Sequence, residues 1–236
     1  MRINSRYVHT YLFASNFMAR ETEKFWGKGS FRWRMLPNPP IDLTPSISDQ
    51  SNDYILYFGR LAEEKGVDLL IRSMQYIPLV RLKIFGTGPE VDSLKELVES
   101  LELTNIEFLK PKWGEYLQSV LDRCRFVVVP SKWYENLPYT ILHAFSSGKA
   151  VIGSDRGGIP ELVKDGVFGL LCPVEDARVL ADRIKELWDD PGRAVSMGKA
   201  ARKYVNEQFN EQRFYQTLME IYRDVLIEYS PEKKIE

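Results

Sequence analysis

Two cysteines and two histidines among 236 residues leave little room for thiolate or imidazole chemistry. His9, His143, Cys124 and Cys172 do not fall at metal-ligand spacing. Both cysteines adjoin expected strands, so they read as buried free thiols in a reducing compartment rather than as a bridge. Long apolar runs are also missing. Charges interrupt each hydrophobic stretch before it reaches spanning length, and the first twenty residues carry no secretory h-region, so the expected location is the cytosol. A net charge of −1 gives no global electrostatic case for nucleic acid. Ser131 lacks the context of a nucleophile elbow, which removes the usual signature of a serine hydrolase. No internal repeat or low-complexity tract appears.

What is present is a chain with 44% hydrophobic residues, enough for one large α/β core with a small appendage but short for two full nucleotide-binding domains. Residues 1–50 do not read as a self-contained domain. Leu12-Phe13-Ala14 suits a short strand, Ser15 a helix N-cap ahead of Phe17 to Phe25, and Met35-Leu36 a second strand. Ile41 to Asn52 has linker composition. This end is basic and aromatic: Arg2, Arg6, Arg20, Lys24, Lys28, Arg32 and Arg34 stand against Glu21 and Glu23. From residue 51 to 210 strands and helices alternate. Strands are expected at Tyr54–Phe58, Leu82–Phe85, Ile106–Leu109, Phe126–Val129, Ala150–Gly153 and Gly169–Cys172. That alternation predicts a doubly wound parallel sheet covered on both faces. Residues 211–236 form a last helix and tail, whose stripe Phe214, Leu218, Ile221, Tyr222 and Val225 packs either on its own domain or back on the amino-terminal piece.

The stretch from Arg125 to Pro160 organises the rest. Three valines, a polar loop with Pro138, and a helical run put Glu135 at the carboxyl edge of the sheet, where open α/β sheets bind ligands. The unpaired amides of Leu137 and Tyr139 at the helix start would attract an anion. Arg60 and Lys65 flank the turn after the first strand of this domain. They suit a diphosphate, or else they are solvated charges partnered by Glu63 and Glu64. Gly86-Thr87-Gly88 lacks the third glycine of a dinucleotide fingerprint, so an NAD reading is poor. Gly157-Gly158 permits close approach to a ligand or makes a tight turn.

Together these segments resemble the carboxyl-terminal, donor-binding domain of the retaining GT-B glycosyltransferases of group 1. The resemblance runs from Tyr54 to Val225. It is carried by Phe58-Gly59-Arg60-Leu61 with Lys65-Gly66, Phe85-Gly86-Thr87-Gly88-Pro89, Val129-Pro130-Ser131, Glu135-x-x-Pro138, Gly157-Gly158-Ile159-Pro160-Glu161 and Asp165-Gly166-x-x-Gly169. It implies transfer of a hexose from a nucleoside-diphosphate sugar to an acceptor, with no cofactor and no metal. It implies catalytic roles for Glu135, Arg60 and Lys65, with Arg60, Lys65 and the amides of Leu137, Tyr139 and Thr140 on the diphosphate. Glu135 and Asn136 would meet the sugar, and Lys112 and Trp113 would lie beside the base. His143 stands where the family has a second glutamate that holds the ribose, eight residues after Glu135, and offers a single acceptor nitrogen or no ligand role at all. Residues 1–50 resemble only the tail of the family's amino-terminal domain. The resemblance therefore implies an incomplete enzyme, or a non-catalytic module or subunit completed by a separately encoded amino-terminal chain. On that reading the basic first segment is an interface. Alternatively it touches anionic head groups at the cytoplasmic face of a membrane. A sugar-nucleotide epimerase fits these motifs less well.

Overall fold

The computed structural model describes residues 7–39, 53–110, 112, 114–173 and 176–229. Six parallel strands form the main sheet: β3 (Tyr54–Phe58), β4 (Arg81–Phe85), β5 (Ile106–Leu109), β6 (Val127–Val129), β7 (Val151–Ser154) and β8 (Gly169–Cys172). Their spatial order is β5-β4-β3-β6-β7-β8, so the chain winds outward in one direction from β3, then restarts beside it at β6. This is the doubly wound order, and its crevice lies between β3 and β6.

Alternation along the strands builds two cores. Ile55 and Tyr57 face one side with Leu82, Ile84, Val128 and Ile152. On that side they meet α2 (Val67–Ser73), α3 (Val91–Ser100) and α7 (Ala177–Trp188). Tyr54, Leu56 and Phe58 face the other with Val127, Val129 and Val151, under α4 (Glu115–Arg123), α5 (Tyr139–Ser146) and α6 (Ile159–Leu162). The helix α8 (Pro191–Gln208) contributes Met197 to the first core and Val205 to the second. Each such side chain stabilises the fold by about 1.5–3 kcal/mol when fully buried. Strands covered on both faces are apolar throughout, which is why they were legible as continuous runs. Asp176 caps α7 by accepting from the amides of Arg178 and Val179.

Both thiols are free and buried, on opposite faces of the sheet. Burial pushes Cys124 up to about 12 and Cys172 up to about 11, so neither is a reactive thiolate at neutral pH. No helix among the described residues is long and apolar enough to cross a membrane.

The amino-terminal segment is a β–α–β unit of β1 (Tyr11–Phe13), α1 (Asn16–Trp26) and β2 (Trp33–Met35), with the two strands paired in parallel. Its rings pack edge to face: Tyr11 lies 5.3 Å from Trp26 and 5.4 Å from Phe31, centroid to centroid. The last helix, α9 (Glu211–Tyr229), crosses back to this unit. Ile221 is buried, His9 and Arg32 bond Glu228, and Arg34 reaches Asp224 at 3.0 Å. The later part of the final stripe therefore lies on the amino-terminal piece, with Ile221 and Val225 beside Phe31 and Trp33, although Tyr222 stays exposed. Two of the basic residues that made this end look like a charged interface are engaged with acids of α9.

Candidate functional site

The reversal of strand order brings two loops face to face, residues 59–66 after β3 and residues 130–138 after β6. Between them Lys65 Nζ lies 2.6 Å from Glu135 Oε1, and Ser131 Oγ donates to the same oxygen at 2.9 Å. The pair is largely withdrawn from solvent, with side-chain exposures of 28% and 15%. Screening is weaker there than on an open surface, and a hydrogen bond to a charged partner contributes about 1.5–3 kcal/mol. The loops are stitched below the pair. The Glu64 carbonyl accepts from the amides of Lys132 (2.9 Å) and Trp133 (3.1 Å) and from Ser131 Oγ (3.2 Å). Gly66 has φ +67°, and a Cβ there would sit 2.1 Å from the Pro130 carbonyl oxygen, so only glycine lets the loops meet this closely.

Glu135 is held from behind as well. Gly158 N–H donates to the Glu135 carbonyl at 2.6 Å. A Cβ on Gly158 would lie 1.9 Å from the Asn136 carbonyl oxygen. Of the two readings of the paired glycines, the tight turn is the one realised: Gly157 has φ +63° and Gly158 leads straight into the four-residue α6, both packed against the protein's own loop. Asn136 is turned toward the amino-terminal unit, its Oδ1 accepting from Ser15 Oγ at 2.5 Å.

Arg60 sits on the same edge but does not join this cluster. Its guanidinium is 64% exposed and bonds Glu64, which is the partner the solvated reading named. Lys65 instead finds Glu135, so the two cations expected to converge have separate partners. Thr140 lies near the start of the Arg60 loop, its Oγ1 3.8 Å from where a Cβ on Gly59 would be. No described residue accepts from the amides of Leu137, Tyr139 or Thr140, and Pro138 offers no side-chain cap to α5. Those donors remain available for an anion. Lys112 is exposed, and Trp113 lies outside the described residues. Among the described residues no three His, Cys, Asp or Glu side chains converge as a metal site requires.

Two contributors were not foreseen. Ser131 is 1% exposed and completes the Glu135 contact; the sequence marked it only as part of the Val129-Pro130-Ser131 segment, with no role attached. Tyr57, an inward residue of β3, donates to the Arg60 carbonyl at 2.7 Å. Burial, aided by the nearby Glu135 and Glu64 carboxylates, drives its phenol well above the usual range and keeps it a neutral donor.

His143 projects from α5 one turn after Tyr139, ring centroids 6.2 Å apart. Its Nε2 is buried with no hydrogen-bond partner among the described residues. Burial lowers its pKa. The unfolded chain therefore takes up the proton more readily, so the His143 contribution is intact above about pH 6.5 and is lost as pH falls below it. Thermal melts from neutral to about pH 5 should show a shallower decline for His143→Gln than for wild type. Superimposable declines would mean that the imidazole is not the group responsible.

The family model described as glycosyl transferases group 1 matches residues 44–204. A D-inositol 3-phosphate glycosyltransferase of Corynebacterium aurimucosum is 31% identical over 183 residues, covering 73% of this chain and 43% of that protein. An alpha-maltose-1-phosphate synthase of Mycolicibacterium smegmatis is 30% identical over 205 residues, covering 80% of this chain and 52% of that protein. The chain thus spans about half the length of these curated relatives. Among solved structures, the sucrose-phosphate synthase of Thermosynechococcus elongatus superposes with a TM-score of 0.82 at 25% identity, over 92% of this chain and 58% of that one. Anabaena Alr3699/HepE in complex with UDP superposes with a TM-score of 0.84 at 21% identity, over 94% of this chain and 66% of that one.

Proposed function

Since the chain belongs to the glycosyl transferases group 1 family, we propose that it is the donor-binding part of a retaining transferase that moves a hexose from a nucleoside-diphosphate sugar to an acceptor. The observation that carries this reading is the Lys65–Glu135–Ser131 cluster at the strand-order reversal. Beside it stand the uncommitted amides at the start of α5.

The chemistry follows from the groups present. Negative charge collects on the leaving diphosphate as the glycosidic bond breaks, so donors already aimed at it favour the transition state over the ground state. Lys65 gives one N–H to Glu135 and keeps two for phosphate oxygens. Its ion pair thus aims the ammonium rather than consuming it. Arg60, whose own side chain is 64% exposed, adds a bidentate grip when a diphosphate competes with Glu64 for it. Leu137, Tyr139 and Thr140 contribute amides. The free Oε2 of Glu135, with Asn136 beside it, takes hydroxyls of the transferred sugar. His143 supplies one bond toward the ribose in place of the family's second glutamate, and the exposed Lys112 flanks the base. Support for a nucleotide-sugar also comes from the Anabaena neighbour, solved in complex with UDP-glucose and with UDP and glucose.

Calorimetric titration tests the proposal. UDP-glucose or GDP-mannose should bind the chain with measurable heat, and Glu135→Gln should weaken the sugar nucleotide more than the bare nucleotide. Silence with both donors at millimolar concentration would sink it.

A further inference from the structure

We propose that Glu161 and Ser15 are positioning residues for Glu135, holding its loop through the first turn of α1. The inference deepens the donor-site reading and rests on Glu135 meeting the transferred sugar.

Helix α1 begins against the site. Its first two amides, Asn16 and Phe17, donate to the Glu161 carboxylate at 2.9 and 2.5 Å, and the Asn16 side-chain amide adds a contact at 3.2 Å. The third, Met18, donates to Ser15 Oγ at 3.2 Å. Three of the four donors that a helix start leaves open are therefore taken, two by a residue 144–145 positions away. A carboxylate at this end is also favoured by the helix dipole. Capping alone could have been supplied locally, as Ser15 does for Met18, so the remote carboxylate fixes where α1 lies as well as how it starts.

The contacts close into a ring around residues 135–136. Gly158, at the start of α6, holds the Glu135 carbonyl at 2.6 Å, and Glu161 of the same short helix holds α1. Ser15, 1% exposed, returns from α1 to Asn136. Phe17 stacks on Tyr134 with centroids 5.8 Å apart and planes 6° from parallel. The Arg156 guanidinium lies 5.2 Å from the same Tyr134 ring and donates to the Lys132 carbonyl at 2.8 Å. The residues before and after Glu135 are thus gripped by an element from the other end of the chain. Cutting the ring at Glu161 or Ser15 frees the loop on the side away from Lys65, so the carboxylate no longer meets the sugar at a fixed place.

The readout is the ratio of UDP affinity to UDP-glucose affinity, because only the sugar touches Glu135 in this reading. Glu161→Ala and Ser15→Ala should collapse the sugar's advantage by about tenfold, any weaker aim of Lys65 at the diphosphate being felt equally by UDP and UDP-glucose and so cancelling in the ratio. Ser15→Thr, which keeps the hydroxyl, should restore the advantage. A residue that merely tethered α1 would lower thermal stability and leave the ratio alone, and that result would overturn the proposal. Amide exchange provides an arm that needs no nucleotide. The Glu135 amide, which donates to the Trp133 carbonyl at 3.0 Å, should exchange about tenfold faster in Glu161→Ala. Unchanged exchange there would equally defeat the proposal. If wild type shows no sugar advantage with UDP or GDP pairs, the donor-site reading fails, and the exchange arm alone decides whether the ring positions the loop.

Discussion

Lys65→Ala is expected, on the proposed donor-site reading, to lower glycosyl transfer by the assembled enzyme about 100- to 1,000-fold, because it would remove a preorganised donor from the place where charge develops. In the isolated chain the same substitution should weaken UDP-glucose about tenfold or more, the loss of one charge-assisted contact. A second consequence follows from the Glu135 carboxylate. At 15% exposure it would keep only Ser131 as a close partner, so the melting temperature should fall as well. The two effects separate in a double-mutant cycle. Lys65→Ala combined with Glu135→Gln should cost less stability than the sum of the single changes, since the uncompensated charge is gone, whereas diphosphate affinity should remain as low as in Lys65→Ala alone. Retention of wild-type UDP affinity in both variants would reduce Lys65 to a structural partner of Glu135 and remove the cation on which the donor site depends.

Gly158→Ala should be nearly as damaging, through a different cause. The residue has φ −86°, which any amino acid tolerates, so no backbone strain is involved. The obstacle is the Asn136 carbonyl oxygen, 1.9 Å from the added methyl, with the Glu135 carbonyl oxygen 3.1 Å away. Either α6 or the 135–136 loop has to move by more than an ångström, at a cost of about 1–3 kcal/mol in stability. On the donor-site reading, a displacement of that size at the carboxylate that meets the sugar lowers turnover about 100-fold. Melting and single-turnover transfer measured on the same variant check both numbers. A fully active, unshifted Gly158→Ala protein would show that the loop adapts and that tight seating of Glu135 is unnecessary.

Much of this site could be read from residue order because its parts sit at the ends of strands. Tyr54–Phe58 and Val127–Val129 are buried on both faces and so appear as unbroken apolar runs. The polar residues that follow them had to lie at the carboxyl edge of the sheet. Helix faces were legible for the same reason: Leu180, Ala181, Ile184 and Leu187 recur at helical spacing and are all buried. Ser15 as a cap also followed from local chemistry, since a hydroxyl ahead of Asn16 can reach the Met18 amide.

Partnerships were another matter. Residue order put Arg60 and Lys65 on one turn and so invited treating them as a pair, yet one bonds Glu64 four residues on and the other bonds Glu135 seventy residues on. Ser15 was legible as a cap but not as a partner of Asn136, nor Glu161 as the clamp on α1. By itself the sequence determined which segments are strands and helices, which faces they bury, and which residues line the sheet's carboxyl edge, because period and burial are written locally along a chain. The tertiary structure alone decided which of those edge residues meet. That choice belongs to the strand order, which sets β3 beside β6, and to the seating of α1 against the loop after β6, and a one-dimensional pattern carries no record of which remote segments will become neighbours.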